Sequence, residues 1–305
     1  MLGVMKAGGA SVMMDSRQPP ERMKSVLDQI KPVVFITSAG DEKLVSSLSD
    51  TPTIVLNDKL MREIASSVVT EAILPRVQPS DRLYLIFTSG STGAPKGAQI
   101  SHSNVCSALR YQRQAHGYTS DARVYDFGSY AFDSVWVNFM SAFTIGGCLC
   151  IPSERERSDD LAASIKRFNP TILDITPSAA TVLDDSTIAS LRTLILGGER
   201  LTSEYAKRWS RLVDVKLPYG PCECTPTATI ATIDPNHEGE PNIGHGAGCL
   251  TWITDTEEGK TLVPIGTIGE LVLEGPLVGL GYLGNEAKTA AAFIKRPPWL
   301  RLVIL

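Results

Sequence analysis

The residues with the clearest chemical potential lie in one segment, Leu85 to Gly97, which reads LIFTSGSTGAPKG. An apolar run that predicts a strand leads into small hydroxyl and glycine residues, and a lysine follows. Glycine lets the backbone approach a ligand closely, and consecutive N–H groups together with hydroxyls can surround phosphate oxygens. We therefore predict a phosphate-binding loop, with a surface turn as the alternative, and its candidate residues are Thr88, Ser89, Gly90, Ser91, Thr92, Gly93 and Lys96.

Two other glycine patterns are excluded. A Walker P-loop has glycine directly before its lysine and Ser or Thr directly after it, whereas Pro95 precedes Lys96 and Gly97 follows it. The segment GLGYLG at 279–284 has the spacing of a dinucleotide fingerprint. That fingerprint requires an acidic residue about 20 positions later, and the sequence has none there.

Signals for metal or nucleophilic chemistry are weak. Cys222 and Cys224 form a C-x-C pair, but no second Cys or His pair lies nearby at zinc-site spacing. The four histidines are scattered, and no G-x-S-x-G nucleophile elbow is present. The sequence therefore predicts neither a zinc site nor a serine nucleophile.

The composition limits the class of protein. A net charge of −4 gives no basic field for nucleic acid, and 43% hydrophobic with 20% charged residues is typical of a folded globular chain. The longest uncharged stretch, Ser134 to Ser153, contains Asn138 and a Gly146-Gly147 pair, so we interpret it as a buried helix, a turn and a strand. No basic lead precedes the apolar N-terminal stretch, which argues against a signal peptide. We expect a soluble, cytoplasmic protein without nucleic-acid or membrane partners.

The elements that must position these residues alternate between helix and strand. Helical spacing is present in PPERMKSVLDQI (19–30) and near 102–114, 134–144, 159–168, 177–184 and 202–209, and apolar strand runs occur at PVVFIT, LYLIFTS, RVYDFGS, CLCIP, TILDIT, TLILGG, VDVKLPYG and GELVLEG. Unbroken apolar strands that alternate with helices predict an α/β fold with mostly parallel sheets layered with helices. The polar segment Val68 to Ser80 is expected to be a surface connection, and no domain boundary is evident.

A family resemblance adds to this interpretation. The loop closely resembles the phosphate-loop signature of adenylate-forming enzymes, which include acyl-CoA synthetases, luciferases and the adenylation domains of nonribosomal peptide synthetases. Four further stretches resemble motifs of these adenylation domains in the same order, namely MKAGGASVMMDSRQPPERM (5–23), YAFDSVW (130–136), LPYGPCECT (217–225) and GELVLEGPLVGLGYLG (269–284). The resemblance covers essentially the whole chain. It implies the large N-terminal core of the acetyl-CoA synthetase-like fold, with 1–305 as a partial adenylation core.

The resemblance implies roles in nucleotide binding. Tyr219 would stack on adenine with Gly220 beside it, and Gly197, Gly198 and Glu199 would border the same base. Glu223 would help to hold Mg²⁺, and Thr88 is the loop hydroxyl expected near that metal. No catalytic residue is certain, and Lys96 is the candidate. Judged without the resemblance, PYGP and Gly197-Gly198 would be ordinary turns.

Asp133 carries most of the substrate argument. In the resembled family an aspartate at this position pairs with the α-amino group of the substrate, a charge-assisted contact. Because Asp133 stands where a helix is predicted to begin, a helix N-cap is the alternative. An aspartate here argues against an acyl-CoA synthetase, whose acids carry no ammonium group.

The same alignment implies a pocket for the substrate side chain, and its members are Ser134, Val137, Asp174, Ile195, Gly197, Pro218, Pro226 and Thr227. Asp174 would favour a polar or cationic substrate. A solvated strand residue is the equally open alternative for Asp174.

Several family features are missing from the sequence. The family's first strands, its T-G-D motif, its C-terminal lid domain with a lysine, and the carrier domain do not appear. Cys222 stands where the family has threonine, which would weaken a phosphate contact. We therefore expect a chain that is truncated at both ends and adenylates weakly or not at all by itself.

The predicted function is ATP-dependent activation of an amino acid as aminoacyl-AMP for nonribosomal peptide synthesis. ATP and Mg²⁺ would be the cofactors, and the partners would be an amino acid substrate and, in the intact enzyme, a phosphopantetheinyl carrier domain. An acyl-CoA or aryl-acid ligase relative and a catalytically inactive nucleotide-binding remnant are the alternatives.

Overall fold

The structure is a computed structural model that describes residues 1–67, 73–88, 94–236, 238–256, 259 and 261–302. Its helices are α1 (Leu2–Lys6), α2 (Pro20–Ile30), α3 (Glu42–Leu48), α4 (Asp58–Ser66), α5 (His102–Gln112), α6 (Ser134–Thr144), α7 (Glu154–Ser158), α8 (Leu161–Phe168), α9 (Pro177–Ala180), α10 (Asp185–Ala189), α11 (Ser203–Trp209) and α12 (Glu286–Ala292). Its strands are β1 (Ser11–Val12), β2 (Phe35–Ser38), β3 (Thr53–Leu56), β4 (Arg82–Thr88), β5 (Lys96–Ser101), β6 (Arg123–Tyr125), β7 (Cys148–Cys150), β8 (Ile172–Ile175), β9 (Thr193–Leu196), β10 (Asp214–Tyr219), β11 (Thr229–Thr232), β12 (His245–Gly246), β13 (Leu250–Thr254) and β14 (Glu270–Glu274). Short 3₁₀ turns occur at Cys222–Cys224 and Pro298–Leu302.

The largest sheet within the described ranges has seven strands in the order β12-β11-β10-β9-β8-β6-β7. The strands from β10 to β7 are parallel, while β11 and β12 are antiparallel. All four residues of β9 are buried because helices cover both faces of the sheet. Residues of α8 to α11 pack on one face, and α6 with the segment after α5 packs on the other. The expected layering of helices on a mostly parallel sheet therefore holds, with an antiparallel edge added.

The smaller sheets complete the fold. In one sheet β1 pairs parallel with β4, which pairs antiparallel with β5. Residues of α5 and α6 pack against this sheet through Val105 and Trp136. The strands β2 and β3 form a parallel pair, and β13 and β14 form an antiparallel pair.

Most predicted elements are present, and the differences have local causes. The predicted helix 134–144 has the observed bounds, whereas the predicted helix 177–184 is wrong, because α9 ends at Ala180 and Asp184 caps a separate helix. The side chain of Asp184 accepts a hydrogen bond from the backbone N–H of Thr187, which fixes the new helix start. Residues 73–80 contain no helix or strand, as expected for a connection, and 68–72 lie outside the described residues.

The uncharged stretch 134–153 folds as the sequence predicts. It forms α6, a turn at which Gly146 has φ of 75°, and then β7. A positive φ is accessible to glycine at little cost, which explains the turn. Among the helices described, none has the length and apolar character needed to cross a membrane.

Candidate functional site

The predicted phosphate loop connects two paired strands. Thr88 at the end of β4 lies opposite Lys96 at the start of β5, so the intervening loop leaves and returns at one point. Ser89, Gly90, Ser91, Thr92 and Gly93 lie outside the described residues. Their predicted phosphate contacts therefore stay predictions, while the two residues that flank the loop are placed.

A polar cluster joins Lys96 to Glu223. The Lys96 ammonium lies 4.9 Å from the ring centroid of Tyr282, within the range of a cation–π contact. The Tyr282 hydroxyl donates to Glu223 Oε1 at 2.6 Å, and the Cys222 thiol donates to Glu223 Oε2 at 3.2 Å. Two residues that were predicted from separate motifs are thus brought together by a tyrosine for which no role was predicted.

Asp133 lies at the N-terminal end of α6, but its side chain does not cap the helix. Its backbone is helical, with φ of −80° and ψ of −18°, and its side chain makes no capping hydrogen bond. The N-cap alternative is therefore wrong, because a capping side chain needs an extended backbone to reach the first N–H groups. Instead, Oδ2 of Asp133 is buried with no hydrogen-bond partner in the described part of the chain.

The environment of Asp133 favours its neutral form. Burial, and to a smaller extent the negative charge of Glu223, raise the pKa of Asp133 to about 6. Its own backbone N–H and that of Ser134 oppose this increase in pKa. An acid with raised pKa and an unpartnered buried oxygen is suited to receive a cationic group.

The carboxyl ends of β9 and β10 meet at the same edge of the parallel sheet. Gly197 and Gly198 follow β9, and Gly198 has φ of 81°. Tyr219 ends β10 with 45% of its surface exposed, so its ring is accessible for stacking. Ligands of open α/β sheets bind at this edge.

Two predicted residues at this edge are fixed by close contacts. The Glu199 carboxylate accepts hydrogen bonds from the hydroxyl and the backbone N–H of Ser178, which hold the pKa of Glu199 below its usual value. Gly220 approaches the chain after the 3₁₀ turn so closely that a Cβ atom there would lie 2.2 Å from the carbonyl oxygen of Pro226. The edge is therefore closely packed behind an exposed tyrosine.

Asp174 is held on the face of the sheet that α6 covers. It lies next to Ile195 in the pairing of β8 with β9, and its Oδ2 accepts from Asn138 Nδ2 of α6 at 2.9 Å. The Tyr118 hydroxyl donates to Asn138 Oδ1 in turn. Burial raises the pKa of Asp174 to about 6, although the hydrogen bond from Asn138 lowers it. Asp174 is half-buried and held by Asn138, so the alternative of a freely solvated strand residue is wrong.

Comparison with known proteins decides the family. A family model described as AMP-binding enzyme matches residues 1–283. The chain belongs to the AMP-binding enzyme family.

Its curated relatives include very long synthetases. This AMP-binding chain is 43% identical to the nonribosomal peptide synthetase ungA of Aspergillus violaceofuscus over 98% of its length and 3% of that protein. It is 42% identical to peramine synthetase A of Epichloe festucae, again over 98% of its length and 11% of that protein. The resemblance inferred from the five motifs is confirmed, and the chain spans only a small part of the relatives that it matches.

Solved structures confirm the fold class. The anthranilate CoA ligase AuaEII in complex with anthranoyl-AMP superimposes with a TM-score of 0.83 and 22% identity, over 96% of this chain and 59% of that one. ATP-bound MatB from Rhodopseudomonas palustris gives a TM-score of 0.79 and 21% identity, over 95% of this chain and 60% of that one. At this level of identity, the two structures support the fold alone.

In the AMP-binding core, the remaining predicted side-chain pocket residues fall into three groups. Val137 and Pro226 line a cavity together with residues of α5 and α6, and its other lining residues are Tyr84, Val105, Ala108, Leu109, Gln112, Trp136 and Thr225. Ser134 begins α6, and Pro218 lies beside Gly197. In contrast, Ile195 is only 2% exposed within the core, and Thr227 is 6% exposed, with its carbonyl accepting from Gln112. These two residues are therefore largely enclosed by neighbouring side chains.

Sequence reasoning missed three residues of this region. Tyr282 lies inside the excluded GLGYLG pattern, and Asn138 interrupts an apolar helix. Cys222 was considered as part of a C-x-C pair and as a departure from the family, but not as a partner of Glu223. A buried polar residue in an apolar helix usually has a hydrogen-bond partner, so Asn138 carried a usable signal. The hydrogen bonds of Tyr282 and Cys222 to Glu223 carried none, because these contacts appear only in three dimensions.

Proposed function

We propose that this AMP-binding core activates an amino acid. The carboxylate of the amino acid attacks the α-phosphorus of ATP, a new P–O bond forms, and the bond to pyrophosphate breaks. The observation that carries the proposal is Asp133, an acid with an unpartnered buried oxygen beside the Glu223 cluster. A substrate that carries both an ammonium group and a carboxylate would pair with Asp133 and present its carboxylate to the nucleotide.

The proposed nucleotide site extends from the sheet edge to the loop. Tyr219 would stack on adenine, with Gly197, Gly198, Glu199 and Gly220 beside the base. Lys96 and the loop would hold the phosphates. Catalysis of such transfers depends mainly on positioning and on electrostatic stabilisation of the developing charge, so Lys96 would contribute a positive charge near the reacting phosphate.

The residues near the loop fit a magnesium ion that is also held by phosphate. Glu223 offers a partly exposed carboxylate, and Thr88 a hydroxyl, both of them hard oxygen ligands. The described residues contain no group of three or more His, Cys, Asp or Glu that would hold a metal by itself. Mg²⁺ commonly takes one or two protein ligands together with substrate phosphates. When bound, it would neutralise phosphate charge.

The later fate of the product is also a proposal. We propose transfer of the acyl group to a phosphopantetheinyl carrier domain, because the curated relatives are peptide synthetases.

The identification of 1–305 as a partial adenylation core and a cytoplasmic location stay predictions. An acyl-CoA or aryl-acid ligase is a weaker candidate, because an acid without an ammonium group would leave Asp133 unpaired. An inactive nucleotide-binding remnant would bind ATP without activating an amino acid.

Nucleotide binding is tested by thermal unfolding of the purified chain with and without MgATP. At a concentration of 100 times the dissociation constant, a ligand adds about 2.7 kcal/mol to the free energy of unfolding. For a chain of 305 residues, we expect an increase in Tm of about 4 °C. MgCl₂ without nucleotide is the control. A cooperative transition that MgATP does not shift would contradict the proposal.

The side-chain preference is tested at Asp174. We expect a lysyl sulfamoyl-adenosine analogue to bind about tenfold more tightly than the norleucyl analogue at pH 8, and the Asp174→Asn substitution to remove this difference. Because the pKa of Asp174 is raised to about 6, the carboxyl is charged above pH 6. The preference should therefore decrease as the pH falls from 8 to 5. Dissociation constants from calorimetry give the measurement.

The matched control is Asp214→Asn, which changes an exposed aspartate two residues before Lys216 in β10. It should leave the preference unchanged. Equal affinity of the wild-type chain for both analogues at pH 8 would contradict a role for Asp174 in selection.

A further inference from the structure

Tyr282 is held in place by backbone pairing along the free edge of β5. The Leu283 N–H donates to the Gly97 carbonyl, and the Leu280 N–H donates to the Gln99 carbonyl, both at 2.8 Å. The Gln99 N–H in turn donates to the Gly281 carbonyl at 3.0 Å. The segment 279–283 thus extends the small sheet by one strand-like stretch, and the position of Tyr282 follows that of β5.

The same segment contacts the backbone of the 3₁₀ turn that carries Glu223. The Gly279 N–H donates to the Glu223 carbonyl at 2.8 Å. A Cβ atom at Gly279 would lie 2.7 Å from the Gln99 carbonyl oxygen, so this approach requires glycine. Three segments that are distant in sequence, around residues 97, 223 and 281, are therefore fixed to one another by their main chains.

The side chain of Tyr282 is almost fully enclosed. It is 7% exposed, belongs to the core cluster of Tyr84, Ile86 and Trp136, and packs edge-on against Phe293 at 5.5 Å. A tyrosine hydroxyl donates a hydrogen bond at neutral pH, and the enclosed ring fixes the direction of the bond that Tyr282 donates to Glu223.

Each oxygen of the Glu223 carboxylate receives one donor. Oε1 accepts from the Tyr282 hydroxyl at 2.6 Å, and Oε2 accepts from the Cys222 thiol at 3.2 Å. A carboxylate oxygen has a second lone pair, so both oxygens keep capacity for another ligand. A thiol is a weak donor, and the tyrosine is therefore the main group that orients this carboxylate.

We propose that Tyr282 is a positioning residue that orients the Glu223 carboxylate for the metal bound to ATP. This inference rests on the proposed function, because it needs a nucleotide with its cation at Glu223. Tyr282 need not touch either ligand. It acts through Glu223, whose side chain would otherwise be free to rotate away from the position of the cation.

The decisive variant is Tyr282→Phe. It removes the hydroxyl but keeps the ring under the Lys96 ammonium, whose 4.9 Å contact does not involve the hydroxyl. We expect the dissociation constant for ATP with excess Mg²⁺ to increase about tenfold, which corresponds to about 1.4 kcal/mol. The dissociation constant for ATP with EDTA should change less than twofold. Isothermal calorimetry on the full chain measures both.

Two control variants separate this role from a general effect on the fold. Tyr205→Phe removes a hydroxyl in α11, where the ring stacks on Trp209, and should change neither constant. Cys222→Ala removes the weaker donor to the same carboxylate and should raise the MgATP constant less than threefold. Each variant should show a cooperative thermal transition within about 2 °C of the wild type, since none of these changes removes more than a single polar group.

A double-mutant cycle tests whether Tyr282 acts through Glu223. The Glu223→Gln variant should lose more MgATP affinity than Tyr282→Phe, and the double variant should be no weaker than Glu223→Gln alone. Additive losses, or equal losses for ATP with and without Mg²⁺, would overturn the inference. A Tyr282→Phe variant that binds MgATP like the wild type would do the same. A wild-type chain that binds neither form of ATP would overturn the proposed function as well, which separates the two failures.

Discussion

Replacing Asp133 with asparagine is expected to weaken binding of an aminoacyl sulfamoyl-adenosine analogue about 100-fold. The substitution keeps the shape of the side chain but removes the charge that would pair with the α-ammonium group. Loss of one partner from a buried, hydrogen-bonded charge pair costs about 2–5 kcal/mol. The dissociation constant is measured for the tightest-binding analogue of a panel, so that the identity of the natural amino acid need not be known.

AMP is the matched ligand for this experiment, because it has no ammonium group. Its affinity should be the same for the wild type and for Asp133→Asn. The exposed Asp159→Asn substitution, which affects surface contacts with Arg155 and Ser158, should leave the affinities for both ligands unchanged. Equal weakening of AMP and the analogue would indicate a disturbed nucleotide site and would contradict the proposed contact.

The Asp133→Asn substitution should make the ligand-free chain more stable at pH 8. Between its usual value of 3.8 and the raised pKa of about 6, Asp133 binds more protons in the folded chain than in the unfolded one. Its contribution to stability is therefore lost as the pH rises through 6. Asparagine removes this cost, which is about 3 kcal/mol. Urea unfolding at pH 5 and pH 8 measures it, and a gain for Asp133→Asn that is no larger at pH 8 than at pH 5 would contradict this expectation.

Replacing Gly220 with alanine is expected to destabilise the chain by about 3 kcal/mol and to abolish MgATP binding. The new Cβ would lie 2.2 Å from the Pro226 carbonyl oxygen and 2.6 Å from the Ala228 nitrogen. Both atoms belong to the main chain, so they cannot move aside as a flexible side chain can, and overpacking of this kind costs about 1–3 kcal/mol. The shift would separate Tyr219 from the segment that carries Pro226. We expect a decrease in Tm of about 5 °C.

Two glycines provide graded controls. At Gly197 the nearest atom to a new Cβ is the Pro218 Cγ at 3.3 Å, so Gly197→Ala should cost less than Gly220→Ala. Nothing lies within 4 Å at Gly3 in α1, and Gly3→Ala should be neutral or slightly stabilising because alanine favours a helix. If all three substitutions lowered the Tm equally, close backbone approach would not explain the effect at Gly220.

The stability and the proposed activity make opposite demands on Asp133. The buried charge of Asp133 lowers the stability of the ligand-free chain, and a bound ammonium group would neutralise that charge. Polar groups held without partners are common at functional sites. The expected gain in stability and loss of binding in one variant would therefore distinguish a ligand contact from a structural role.

The sequence by itself determined many of the buried elements and the family. Apolar runs such as TLIL in β9 predict buried strands because both faces of the sheet are covered, and α6 has the bounds that its apolar pattern predicts. These features depend on residues that are close in sequence. The ordered motifs likewise identify the family, because their signal lies in local strings such as LIFTSGSTGAPKG.

Only the tertiary structure decided which side chains meet. Asp133 stands where a cap is expected, yet its helical backbone prevents capping and leaves an oxygen unpartnered. The sequence alone left open whether Asp174 is solvated or lines a pocket, because its partner Asn138 lies 36 residues away. Tyr282 and Glu223 are 59 residues apart. Such contacts depend on how separate segments pack, and no local pattern of residues records the distance between them.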